Sequence, residues 1–525
     1  VNRMDHVQEY WQIRKAAVRG NNGLVATQHY RASEVGAAIL RAGGNAVDAA
    51  VAAGLTLGTV EPWMSGIGGG GYMTVYLAKE DRVRVVEFGM RAPFAADPDD
   101  YPIVGEETGT DTFNWPRVKG DANVHGPLST AVPGYLKGVS LALETFGTME
   151  WRDVIAPAVG SAEEGVPIDW YSTHMITGAA RGLRLYEQTR QTYLHDGLPP
   201  TLGIGGTPGR LKLGQLAETY RVIQKEGQSA LYGGEVGERL AADMEAAGSR
   251  IRHDDFAEYE ARLGEPATTQ YRRSSVYCAG HLTAGPTLMR SLNDLAERWA
   301  ASGEVPDINA YSSYADTLLA AYEYRLKNLG EGSQTSRPTN TTHLCVSDRF
   351  GNVVSLTQTI MSGFGSRIMS PSTGILMNNG MMWFDPRPGG PNSVVGGRHP
   401  LCNMCPTIAK RADGAILALG ACGGRHIFPA VFQLLSFLLD YKMDVDEAVH
   451  QARLDVSGTD VVTLMSSMDE IFKATLADRY PGSRIRPNGV SPMFFGLPQV
   501  IQQHPGGEGI GGCFIPSPHA RVVAA

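Results

Sequence analysis

The run Asn340-Thr341-Thr342-His343 lies where a polar, aperiodic stretch (residues 331–340, directly after Gly330) meets a segment of alternating side chains. A threonine hydroxyl is a poor nucleophile unless a base sits beside it. If the chain is cut before Thr341, the freed α-amine becomes that base, with an unperturbed pKa of about 7.7–8.0. The same hydroxyl can make the cut by attacking the Asn340 carbonyl, an N-to-O acyl shift whose ester water then hydrolyses. Thr-Thr pairs are also ordinary in strands, so spacing alone leaves both readings standing.

Other spacings are weaker. Gly66-x-Gly68-x-x-Gly71 matches a dinucleotide fingerprint in form, but a strand follows it where a phosphate-binding turn must open a helix. A packed glycine turn is the better reading. Cys402-Asn-Met-Cys405 stands as one pair, without the second pair of Cys or His that a zinc site needs. His343, His399 and His426 are isolated in the sequence and read first as packed or surface residues. No GxSxG elbow, HExxH pair or P-loop occurs, which removes the common serine hydrolase, zincin and NTPase readings.

The elements that must position these groups show in the patterning. Ser33 can cap a helix carrying Val35, Ile39 and Leu40 on one face; Gly43 and Gly44 end it. Asn45 or Asp48 starts a second helix so rich in Ala and apolar residues that it has no polar face and must be buried. After the Ser65 to Gly71 glycine cluster, residues 72–77 alternate as a strand, with residues 82–88 as partner. A Pro-rich excursion follows over 89–130. Helical patterns return at 133–147, 151–165, 211–226, 234–247 and 307–328. From Thr341 the chain reads as a hairpin turning at Asp348 to Asn352, then as strands at 374–378, 405–410 and 415–419. Helices at 427–439 and 445–453 and a last strand pair within 493–515 complete the reading. Antiparallel hairpins with buried helices favour stacked layers of helix and sheet over a doubly wound parallel sheet.

Composition sets the outer bounds. The 525 residues are 43% hydrophobic and 19% charged, enough apolar material for a large core. A net charge of −8 argues against a nucleic-acid partner, which needs clustered positive charge. Six scattered cysteines do not make a disulfide scaffold. The longest apolar stretch, residues 427–439, is shorter than the ~20 residues of a membrane span. Residues 1–19 carry charges and show no signal-type apolar region. A cytoplasmic protein is expected, or a periplasmic one if a leader has been removed.

Several motifs, in order along the chain, resemble the gamma-glutamyltranspeptidase (gamma-glutamyltransferase) family of N-terminal nucleophile hydrolases. They are Ala42-Gly43-Gly44-Asn45-Ala46-Val47-Asp48-Ala49-Ala50, the Ser65 to Gly71 cluster, Val132-Pro133-Gly134, and Thr341-Thr342-His343 with Asp348-x-x-Gly351-Asn352. Gly374-Ile375-Leu376-Met377-Asn378-Asn379, Pro406-Thr407-Ile408 and Gly420-Ala421-Cys422-Gly423-Gly424 follow. The resemblance implies an α+β fold, a four-layer αββα sandwich built from two subunits cleaved from one precursor. Residues 1–340 would form the large chain and 341–525 the small one, a heterodimer for which a dimer of heterodimers stays open. Cleavage falls between Asn340 and Thr341. Thr341 would be nucleophile and base, Thr359 would hydrogen-bond it, and the N–H groups of Gly423 and Gly424 would hold the oxyanion. No metal or organic cofactor is implied, since one residue supplies nucleophile and base.

The departures concern the substrate. Where glutathione-cleaving members carry an arginine before the segment matching Ala92-Pro93, this chain has Gly89, with Arg91 nearby. The positions that hold the glutamyl α-amino and carboxylate groups fall at Met361, Gly380 and Trp383, and the paired serines at Cys402 and Asn403. Met381 and Met382 add apolar bulk. Arg91, Arg398 and Arg425 are candidates to grip one carboxylate. The favoured function is therefore hydrolysis of a small non-glutamyl amide through an acyl-Thr341 intermediate, with the oxamate amidohydrolase type the best fit. The alternatives are a glutathione hydrolase with a rearranged glutamate pocket and a non-catalytic binding relative. Retention of Asn340-Thr341, Thr359 and Gly423-Gly424 together argues against the last.

Overall fold

Alternation along the strands decides the architecture, because odd and even residues must bury opposite faces. In the computed structural model, which describes residues 15–108, 115–201, 209–329, 341–458, 461–514 and 516–525, two seven-stranded antiparallel sheets lie face to face. The first runs, in spatial order, Arg521–Ala524, Gly23–Thr27, Thr342–Asp348, Val353–Thr359, Gly70–Leu77, Arg82–Phe88 and Arg262–Gly264. The second runs Val18–Gly20, Gly509–Cys513, Leu497–Gln503, Ile416–Cys422, Thr407–Lys410, Ser274–Cys278 and Ala267–Tyr271. Between them Ala26, Cys345 and Val353 of the first meet Ile408, Ala418 and Ile501 of the second.

The outer faces carry the helices. Leu344, Val346 and Leu356 pack under helix Ala46–Val60, all of whose residues are buried. Leu417, Leu419 and Ala421 pack under Gly285–Arg298, Ile308–Asn328 and Ile427–Leu439. The result is the four-layer αββα sandwich. Asn340 and the rest of the polar stretch 331–340 lie outside the described residues.

The glycine-asparagine motif explains how the buried helix starts. Asn45 Oδ1 accepts from the N–H groups of Val47 and Asp48, and Asp48 Oδ2 accepts from the Asn45 N–H. That reciprocal cap satisfies donors a buried helix end would otherwise strand. The hairpin turn feeds the same end: Asp348 Oδ1 accepts from the Phe350 and Asn352 N–H groups, and its Oδ2 accepts from the Ala46 N–H at 2.8 Å. Asp348→Ala leaves these donors without their acceptor. An unfolding midpoint measured by chemical denaturation is expected to show a loss of about 3 kcal/mol.

Two sequence expectations fail locally. His29, not Ser33, caps the helix Tyr30–Arg41; Ser33 sits inside it and bonds Thr27 Oγ1 and the Arg521 carbonyl. A serine facing an edge strand has better partners there than at a cap. Residues 374–378 form no strand, only the single bridge Met369–Leu376, because Gly374 takes φ +71° and breaks the extended run.

Candidate active site

Thr341 is buried immediately before strand Thr342–Asp348. In that strand Cys345 points between the sheets and Leu344 toward the helices, so Thr341 falls on the face between the sheets. The ladder pairs Thr342 with Gln358, and its next step sets Thr341 opposite Thr359. Thr359 is also buried, and its Oγ1 accepts the Met361 N–H at 2.7 Å. That bond holds Met361 at φ +87°, a conformation costly for a side chain of its size.

The second sheet meets this pair through close contacts. Ser355 Oγ donates to the Leu419 carbonyl at 3.0 Å. A Cβ at Gly420 would stand 2.2 Å from the His343 ring, so only glycine lets the ring pass. His343 Nδ1 pairs with Thr357 Oγ1 at 2.9 Å, and burial drops its pKa to about 3. A histidine held neutral and enclosed there is packing, as its isolation in the sequence suggested. The same contacts fix the level of Gly423 and Gly424, just beyond the strand at the Thr341 end. Their φ angles of +125° and +58° suit glycine.

Two loops close the Thr359 end. A Cβ at Gly69 would stand 2.2 Å from the Thr359 carbonyl oxygen, so the glycine cluster is a close-packed turn, not a phosphate cradle. Asn378 accepts from the N–H groups of Ala131 and Gly380 and donates to the carbonyls of Gly68 and Ala131. Asn379 accepts from the Ser362 N–H and donates to the Val124 carbonyl. In the sequence both asparagines stand only as part of the Gly374 to Asn379 motif.

Met361, Trp383 and Cys402 come together in one buried apolar cluster with Tyr72, Met90, Met381 and Met382. Gly380 lies in the turn that carries Trp383. At Gly89 the Tyr72 hydroxyl lies 2.7 Å from where a Cβ would stand, filling the direction of any longer side chain. Asn403 is drawn elsewhere: its Oδ1 accepts from Arg325, which also donates to the carbonyls of Cys402 and Thr283. Arg325 was invisible as a site residue because it reads as one more charge on a helix. The Arg91 guanidinium donates to the carbonyls of Asp255 and Glu258 and lies 4.2 Å over the Phe94 ring. Arg425 packs against Tyr322 and donates to the Ser457 carbonyl. Arg398 holds the neighbouring turn, its carbonyl accepting the Ala92 N–H.

On the other face of strand Thr342–Asp348, Thr342 Oγ1 meets Gln28 Oε1 at 2.7 Å and Glu61 Oε1. Glu61 is completely enclosed, and burial pushes its carboxyl up to about 8. It ends the buried helix and reads in sequence as an ordinary acidic residue.

The sequence profile described as Gamma-glutamyltranspeptidase matches residues 32–338 and 328–514. The chain is 34% identical over 500 residues to the Acylase ACY 1 proenzyme of Pseudomonas sp. (strain SE83), covering 89% of this chain and 88% of that one. It is 31% identical over 488 residues to the Glutathione hydrolase proenzyme of Bacillus subtilis (strain 168), covering 83% and 81%. In fold it is similar to the crystal structure of cephalosporin acylase from Bacillus halodurans, with a TM-score of 0.84, 22% identity and 99% of each chain covered.

Proposed function

Since the chain belongs to the gamma-glutamyltranspeptidase family of N-terminal nucleophile hydrolases, we propose that it cuts itself before Thr341 and then hydrolyses an amide whose acyl group is apolar rather than gamma-glutamyl. The apolar cluster uniting Met361, Trp383 and Cys402 carries this reading. A glutamyl head brings an ammonium and a carboxylate, and burying either without a partner costs several kcal/mol. The acylase relative supports the same direction.

In the proposed cycle the Thr341 α-amine takes the Oγ1 proton as Oγ1 attacks the substrate carbonyl carbon. The carbonyl π electrons move to oxygen, where the Gly423 and Gly424 N–H groups donate; each such donor is worth about 2.7–4 kcal/mol. Thr359, opposite in register, steadies the attacking oxygen. Collapse breaks the C–N bond, and the ammonium passes its proton to the leaving amine. Water deprotonated by the same amine then attacks the Thr341 ester and frees the acid. Residues 1–340 and 341–525 would remain together as a heterodimer, in keeping with the proenzyme names of the relatives.

A panel of p-nitroanilides tests the acyl preference. Hexanoyl and phenylacetyl anilides are expected to turn over at least ~10-fold faster, by kcat/KM, than the gamma-glutamyl anilide. The reverse order would restore the glutathione-hydrolase reading. Ammonia release from oxamate in preference to the apolar anilides would instead favour the oxamate type and require an arginine in the pocket.

A further inference from the structure

We propose that Glu61 and Gln28 are positioning residues, joined through Thr342 in a relay that ties the residue after the nucleophile to Cys422, the residue before the candidate oxyanion glycines. The inference rests on Thr341 being the nucleophile.

Hydrogen counting carries it. The Thr342 hydroxyl has one hydrogen but lies against two acceptor oxygens, Gln28 Oε1 and Glu61 Oε1. With the Gln28 amide in this orientation Oε1 can only accept, which makes Glu61 the donor: its protonated carboxyl donates to Thr342 Oγ1, and Thr342 donates to Gln28. Gln28 Nε2 is buried without a hydrogen bond of good geometry and lies beside the Cys422 thiol, which burial raises to about 12 and Gln28 draws down. The reversed Gln28 amide would instead have Nε2 donate to Thr342 and Thr342 donate to Glu61, leaving no donor to lose at high pH, so the alkaline limb of the activity profile distinguishes the two arrangements.

The relay joins the end of helix Ala46–Val60 to the start of strand Thr342–Asp348 and, through Gln28 just after the neighbouring strand Gly23–Thr27, to the end of strand Ile416–Cys422 in the other sheet. Scission turns Thr341 into a chain end, where strands fray. Anchoring Thr342 by its side chain keeps the new terminus in register, and the link to Cys422 sets its distance from Gly423 and Gly424. Tyr171, on helix Trp170–Leu183, and Cys422 face Glu61; burial holds both neutral and neither can carry a positive charge, which leaves the Thr341 amine freed by scission as the one nearby titratable cation among the described residues, on the opposite face of the strand.

The donor is present while Glu61 is protonated and is lost as pH rises through about 8. Activity should therefore climb as the Thr341 amine deprotonates and fall again as Glu61 ionises. The test follows hexanoyl p-nitroanilide hydrolysis and precursor self-scission, by denaturing gel, between about pH 6 and 10 for wild type, Glu61→Gln, Glu61→Leu and Gln28→Leu. Glu61→Gln keeps a donor at every pH, so it should retain kcat within about threefold at neutral pH and lose the alkaline fall. Glu61→Leu and Gln28→Leu should lower kcat roughly 10–100-fold with little change in KM. An alkaline fall unchanged in Glu61→Gln, or normal kcat in both leucine variants, overturns the proposal. A wild-type chain that never cuts at Thr341 instead overturns the nucleophile assignment beneath it, and the gel separates the two failures.

Discussion

Thr341→Ala is expected to stay a single chain of 525 residues and to hydrolyse no amide above background. The substitution removes the attacking oxygen of both scission and turnover, so the kcat loss should be at least ~10^4-fold. Folding should survive, because Thr341 precedes the strand and alanine keeps the Cβ at that buried position. Thr341→Ser keeps the hydroxyl and amine and should self-cut and turn over, though more slowly. A gel and an anilide assay on the three proteins check this. Fragments from Thr341→Ala would place the scission chemistry elsewhere.

Gly423→Ala should be the next most damaging change. At φ +125° an L side chain is strained, and relief must rotate the peptide whose N–H is assigned to the oxyanion. A Cβ there would stand 3.3 Å from Gly496 Cα and 3.5 Å from His426 Cβ, leaving little room to absorb the strain by other movements. The expected result is a fall in kcat of about 10²–10³ with KM nearly constant. Gly482→Ala separates this from backbone strain alone. Gly482 has φ +91° with nothing within 4 Å of its Cβ position, so that variant should lose some stability and keep full kcat. Equal kcat losses in both would remove the oxyanion assignment.

The parts of this site that could be read in the sequence are those governed by local rules. Alternation located strand Thr342–Asp348 and its partner, and Asn45 with Asp48 announced a capped helix whose composition left it nowhere but the interior. The glycine cluster declared close packing without naming Thr359 as the neighbour. That Met361, Trp383 and Cys402 belong together was suggested by family resemblance alone, since they are ordinary apolar residues until the fold gathers them. Contacts between distant segments stayed hidden for a plain reason: nothing near Arg91 reveals that Asp255 occupies its guanidinium, and Glu61 lies 281 residues from Thr342. Residues 374–378 show the converse, where alternation suggested a strand and one left-handed glycine redirected the chain.

Catalysis, in the cycle proposed, belongs to a chain end created by the protein itself. Its most direct test is time-resolved mass spectrometry of the wild-type protein mixed with an apolar acyl anilide and quenched in acid. The acyl mass is expected on the peptide beginning at Thr341, and only in molecules already cut. Acyl label on another residue, or full-rate hydrolysis by the uncut chain, would contradict it.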